Sequence, residues 1–151
     1  MFSTVRYFIK TSIIFLITGI ITGIYMSIDK HLLRTGVLPE LISAHTHIIL
    51  VGSVMMMIMG VALWFFPREE KSDKKYNPSL ILFTYWTMTI STSLRFIFQI
   101  ISTYIFADIL EIGIIVFSIF QVVAIILFFY AMWGRIRAVG SQYREAKGER
   151  F

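Results

Sequence analysis

Four long apolar stretches, almost free of charge, leave this chain few ways to fold. Thr11 to Ile28 is an uncharged run of 18 residues. Leu41 to Pro67 holds no Lys, Arg, Asp or Glu, Tyr76 to Ala107 is interrupted only by Arg95, and Ile112 to Gly134 is again uncharged. A helix needs roughly 18 to 20 apolar residues to cross the hydrocarbon core of a bilayer, and each run reaches that length. With 57% of its 151 residues hydrophobic, a water-soluble fold of this size could not hide its apolar surface. Lipid removes that problem, provided every backbone group is paired within its own segment, and this selects helix. The expectation is therefore all-α: an integral membrane four-helix bundle. One domain would cover residues 1–134, with spans at about 8–28, 41–66, 78–106 and 110–134, followed by a basic cytoplasmic tail at 135–151. The first run is long and no A-x-A-like site follows it, so it reads as a retained span rather than a cleaved signal. Pro67 ends span two, and Asn77-Pro78 opens span three, because proline is tolerated in the first turn of a helix.

The basic residues set the orientation. Of 14 Lys and Arg, Arg6, Lys10, Arg68, Lys71, Lys74, Lys75, Arg135, Arg137, Arg144, Lys147 and Arg150 fall on one side of a four-span chain, and only Lys30 and Arg34 on the other. The positive-inside rule then places both termini in the cytoplasm of a cell-membrane protein. The net charge of +5 is explained by topology, so no nucleic-acid partner is expected. Cysteine is absent, which excludes disulfides, c-type haem attachment, Fe–S clusters and cysteine zinc sites within the chain. No Ser-His-Asp set, phosphate loop or paired intramembrane carboxylates are present, so a hydrolase is not supported.

Three residues inside the spans are costly in lipid. His45 and His47 lie a few residues inside span two, and Arg95 lies in the outer half of span three, where polar side chains face a partner or a cavity. Residues two apart on an α-helix are separated by about 200° around its axis. His45 and His47 therefore point to nearly opposite faces and do not suit one shared metal ion, which wants i, i+3 or i, i+4 spacing. Spacing alone leaves two readings open: ligation of two different groups, or bonding to water and backbone carbonyls at the interface. A buried guanidinium wants an acidic partner, either Glu111 or a cofactor carboxylate. His31, beside Asp29, Lys30 and Arg34, is explained by solvation. Gly52 and Gly60 admit a close neighbour or a flat ligand. The run Met55 to Met59 points all round its helix and reads as packing, and Gly19-Ile-Ile-Thr-Gly23 reads as a close-packing GxxxG.

The segment SAHTHIILVGSVMMMIMGVALWFFPR (Ser43 to Arg68) resembles helix two of haem-copper oxidase subunit I, most closely in the cbb3-type and nitric-oxide-reductase branches. There a His-Thr-Asn opens the helix and an aromatic stretch with proline closes it. FLITGIITGIYMSID (Phe15 to Asp29) is similar to the family's first helix, and FFYAMWGRIR (Phe128 to Arg137) to the end of helix four in short members. The resemblance implies that His45 is an axial ligand of a low-spin haem near the outer face. His47 stands where the family has Asn. It is similar instead to the His-x-His of the family's tenth helix, whose histidines serve two haems on opposite sides.

The family's large subunit holds three pseudo-equivalent sets of four helices, and this chain resembles one such repeat. The resemblance implies haem b as cofactor, held between His45 of one protomer and His47 of the next in a homo-oligomer, a trimer or alternatively a dimer, with Arg95 also on the cofactor. Closed cyclic symmetry lets every protomer supply both ligands. Oxygen reduction in the family needs three further histidines for copper, so the chain is not expected to be a complete oxygen reductase. Two axial histidines close the iron's coordination, which favours electron transfer, with a quinone or respiratory redox partner. The alternatives are a haem-based NO or O₂ sensor or scavenger, and a non-redox assembly or partner subunit.

Overall fold

The computed structural model describes residues 2–33, 36, 38–66, 78–136 and 147–148. Pro67, Asn77, the 68–75 basic cluster, Arg34, and Arg137, Arg144 and Arg150 of the tail lie outside the described residues. Every described element is helical. Helix α1 (Phe2–Ile28) continues into a π-helical turn, Asp29–Leu33. Helix α2 runs from Pro39 to Phe65, α3 from Pro78 to Ser102 and α4 from Asp108 to Met132, closed by a 3₁₀ turn, Trp133–Arg135. Pro39 and Pro78 each occupy a helix's first turn, where the missing N–H costs nothing. Gly36, at φ 87°, supplies the left-handed backbone between α1 and α2 that a side chain would oppose.

Three of the four helices are long and apolar enough to cross a membrane: α1 with its π turn (Ser3–Leu33), α2, and α4 with its 3₁₀ turn. Helix α3 has the length, 25 residues, but carries eight Ser and Thr besides Arg95 and Gln99.

The helices pack α1 on α2, α2 on α3 and α3 on α4, the first and last pairs being the most extensive. In the lower half, where α1 and α3 begin, the interior is apolar. Phe8, Met56, Met59, Met88, Phe128 and Met132 are almost wholly buried there, and Phe8 sits edge-on to both Tyr85 and Phe128. The methionine run thus serves packing, with Met56 and Met59 inside. At the bottom, Arg135 is 2% exposed and its Nη2 donates to the carbonyls of Leu63 and Phe66, each at 3.2 Å. The expected start of a solvated tail is in fact a buried side chain holding the C-terminal carbonyls of α2.

Helix α2 is continuous but not uniform. Ile48–Met55 is π-helical. Ala44, Ile48, Gly52 and Met56 are all buried, spaced by four residues. In an α-helix each four-residue step drifts about 40° around the axis. Turns closed by i→i+5 bonds take in more residues and cancel that drift, so these four stay on the inner face.

Candidate functional site

The π segment begins immediately after His47, and the two histidines sit in the α-helical turn above it. His45 faces α1. Its Nδ1 lies 2.9 Å from the carbonyl oxygen of Gly19, and its ring occupies the notch at Gly23, where a Cβ would come within 3.0 Å of His45 Cε1. His47 lies on the side of α2 that carries Ser43. Its Nδ1 is 2.8 Å from the carbonyl oxygen of Ser43, and the Ser43 hydroxyl accepts a hydrogen bond from Gln99 Nε2 of α3 at 2.8 Å. A carbonyl only accepts, so each Nδ1 carries a proton, and in the neutral ring Nε2 then keeps its lone pair. The two rings are half-buried and make their hydrogen bonds to different helices and turns. Among the described residues no group of three or more His, Asp or Glu side chains is placed to hold a metal ion.

Arg95 does not meet Glu111. Its Nη1 donates to Gln121 Oε1 at 2.9 Å, and Gln121 Nε2 donates to Thr92 Oγ1 at 2.9 Å. Glu111 instead accepts from the Ser102 hydroxyl. The register of the α3–α4 hairpin explains this, since it pairs Ser102 with Glu111 and Thr92 with Gln121. Glu111 thus lies about 10 Å along the axis from the level of Arg95. Glu40, in the first turn of α2, acts on Arg95 electrostatically.

The upper interior is therefore polar, with two hydrogen-bonded groups: His47, Ser43 and Gln99 between α2 and α3, and Arg95, Gln121 and Thr92 between α3 and α4. Gln99 and Gln121 were not singled out by sequence. The signal was present: Gln99 follows Arg95 by four residues, and Ser43 precedes His47 by four, and both pairs lie within apolar runs. Gly52 and Gly60 take close neighbours, not a flat ligand. A Cβ at Gly52 would meet Thr92 and Phe15, and one at Gly60 would meet Ile9 and Phe8. His31 is exposed and lines, with Gly23, Met26, Lys30 and Ile42, an open groove of about 570 Å³ on the His45 side.

Comparison with family models, with curated proteins and with solved structures gives no match for the chain. Fold and site define an all-helical, membrane-associated bundle with a polar upper interior and two half-buried imidazoles on different sides of α2.

Proposed function

We propose that this protein is a membrane-bound b-type haem protein that relays electrons, with haem b held between His45 of one protomer and His47 of the next. The observation that carries the reading is the shared state of the two imidazoles. Each is held by an Nδ1–H bond to a backbone carbonyl, which fixes the tautomer, steadies the ring and raises the basicity of Nε2, as for a metal-ligating histidine. Neither nitrogen can reach the iron ligated by the other within one protomer, so the pair calls for a homo-oligomer, a trimer in the leading version. Haem would supply one-electron chemistry, and the chain would supply two axial nitrogens. Among the described residues Arg95 bonds to Gln121 and not to Glu111, and the cofactor carboxylate is its proposed acidic partner.

The same reading takes all four helices as membrane spans, with both termini cytoplasmic in a cell membrane. The outward residues of α3, among them Leu82, Phe83, Trp86, Ile90 and Ile97, are apolar, so the face offered to lipid is as greasy as that of its neighbours. An electron donor of the quinol type, or a respiratory partner protein, completes the proposal.

The test is colour. Protein produced with haem available should give sharp α and β bands in a reduced-minus-oxidised spectrum. His45→Ala and His47→Ala should each abolish the low-spin signal. A five-coordinate spectrum that shifts with NO or CO would replace electron transfer by gas sensing. A colourless protein would leave the histidines as structural groups in an assembly or partner subunit.

A further inference from the structure

Among the described residues, two buried polar atoms of the upper interior, Arg95 Nε and Gln99 Oε1, have no hydrogen-bond partner, and neither does Thr89 Oγ1 at the level of Met88. All three are on α3, within three turns of one another. Gln99 is 1% exposed, so its free carbonyl oxygen is aimed into the bundle. Arg95 offers a donor one turn below it, and the hydrogen bond of its guanidinium among the described residues is to the neutral Gln121. A donor and an acceptor one turn apart are matched by a molecule that both accepts and donates, and water is the smallest that does so. Charged and polar groups in membrane helices face water-filled cavities, and such groups mark routes for protons and ions.

An entrance is present. A cavity of about 350 Å³ opens at the upper end, lined by Tyr25, Asp29, Leu38, Leu41, Thr103 and Tyr104. Thr103 stands one turn above Gln99, and its hydroxyl donates to the backbone carbonyl of Gln99 at 2.8 Å. A floor is present too. Met56, Met88 and Ala124 are 0% exposed and offer nothing polar to carry water further. We propose that the seam between α2 and α3 is a hydrated half-channel. It would run from the upper cavity past Ser43 and Gln99 to Arg95 and Thr92, closed below by the methionine layer. Water there solvates the guanidinium in the membrane and gives protons access from the outer face, by exchange along hydrogen bonds, to the network beside His47. The carboxylates of Asp29, Glu40 and Glu111 at the upper end suit protons rather than anions. The inference stands without haem, because it rests on polar atoms of α2 and α3 and on the upper cavity.

The absence of cysteine permits a clean test by single substitution in the full chain in phosphatidylcholine vesicles. Infrared spectroscopy follows S–H to S–D exchange after transfer to D₂O. Thr92→Cys and Ser43→Cys report the channel, and Ala124→Cys reports the floor. Circular dichroism checks that each variant is folded. Exchange at positions 92 and 43 should outpace exchange at 124 by about tenfold or more, since a dry core thiol exchanges only through opening of the structure. Thr92→Cys exchanging as slowly as Ala124→Cys would overturn the proposal, even with Ser43→Cys fast, because the path would then stop short of Arg95. Equal fast exchange at all three positions would also overturn it, as general opening. Should Thr92→Cys fail to fold, Ser91→Cys, also 2% exposed, takes its place with the same two outcomes.

Discussion

Replacing Gly23 with larger residues should eject His45 in a graded way. The ring of His45 fills the space a side chain would need: a Cβ at Gly23 falls 3.0 Å from Cε1 and 3.5 Å from Nδ1. One methyl requires the ring to give by a few tenths of an ångström. The Nδ1–Gly19 distance of 2.9 Å can lengthen by that amount and remain a hydrogen bond. Gly23→Ala also gains about 1 kcal/mol of helix propensity, so it should be neutral or slightly stabilising. Gly23→Leu gains nearly the same propensity, but its outer carbons fall where the imidazole sits. Losing the hydrogen bond costs about 1 kcal/mol, and overpacking adds about 1–3 kcal/mol. Because propensity cancels between them, the Leu variant should be less stable than the Ala variant by about 2–4 kcal/mol. Titration from dodecylmaltoside into SDS, followed by far-UV circular dichroism, measures that difference. On the haem proposal the Ala variant keeps the low-spin spectrum and the Leu variant loses it. A Leu variant as stable as the Ala variant would refute the placement of His45 against α1.

Two further outcomes follow from the hydrogen bonds, and a third from the charge pattern. Gln121→Leu removes the bridge between Arg95 and Thr92 and should cost about 2–4 kcal/mol in the same titration, since one of the two lost bonds is to a charged group. A cost below about 1 kcal/mol would mean that water replaces Gln121 without loss. Arg135→Met should cost about 1.5–3 kcal/mol and raise amide hydrogen exchange in the last turn of α2, because Leu63 and Phe66 lose their donor. For topology, a reporter active only outside the cytoplasm should work when fused after residue 36 and fail when fused after residue 151. The reverse pattern would contradict the charge count.

Four helices were legible because, Arg95 apart, charges interrupt the apolar runs only between helices, and Pro39 and Pro78 mark two starts. The divergence of His45 and His47 was legible too, since helix geometry alone sets it. Three features were not. The π segment leaves a trace, a buried spacing of four residues, but that spacing is ambiguous until burial is known. The Gly19–Gly23 pair reads as a helix contact, yet the notch at Gly23 receives an imidazole from another helix, and no local rule names the occupant. The partner of Arg95 depends on the register of the α3–α4 hairpin, set by the turn at residues 103–107. A shift of one helical turn there would have exchanged Gln121 for a different residue.

Helix α3 decides the topology, and its polarity is consistent with its crossing the membrane. Hydropathy averaged around the helix counts Thr84, Ser91, Thr92 and Gln99, all 2% exposed or less, which lipid would never meet. Thr84 also returns its hydroxyl to its own helix, donating to the Leu80 carbonyl at 2.9 Å. What lipid would meet is Leu82, Phe83, Trp86, Ile90 and Ile97. Parity makes the same case from charge. If α1, α2 and α4 crossed without α3, the termini would lie on opposite sides. Arg6 and Lys10 would then be separated from the five basic residues of the tail, and no orientation would keep the positive segments together. With α3 as a fourth span, the N-terminus, the 68–75 cluster and the tail share one side. The polar interior that gives α3 its low hydropathy also brings Gln99 to Ser43 and Arg95 to Gln121. On this view, the helix least convincing as a span by composition is the one that the proposed site needs inside the membrane.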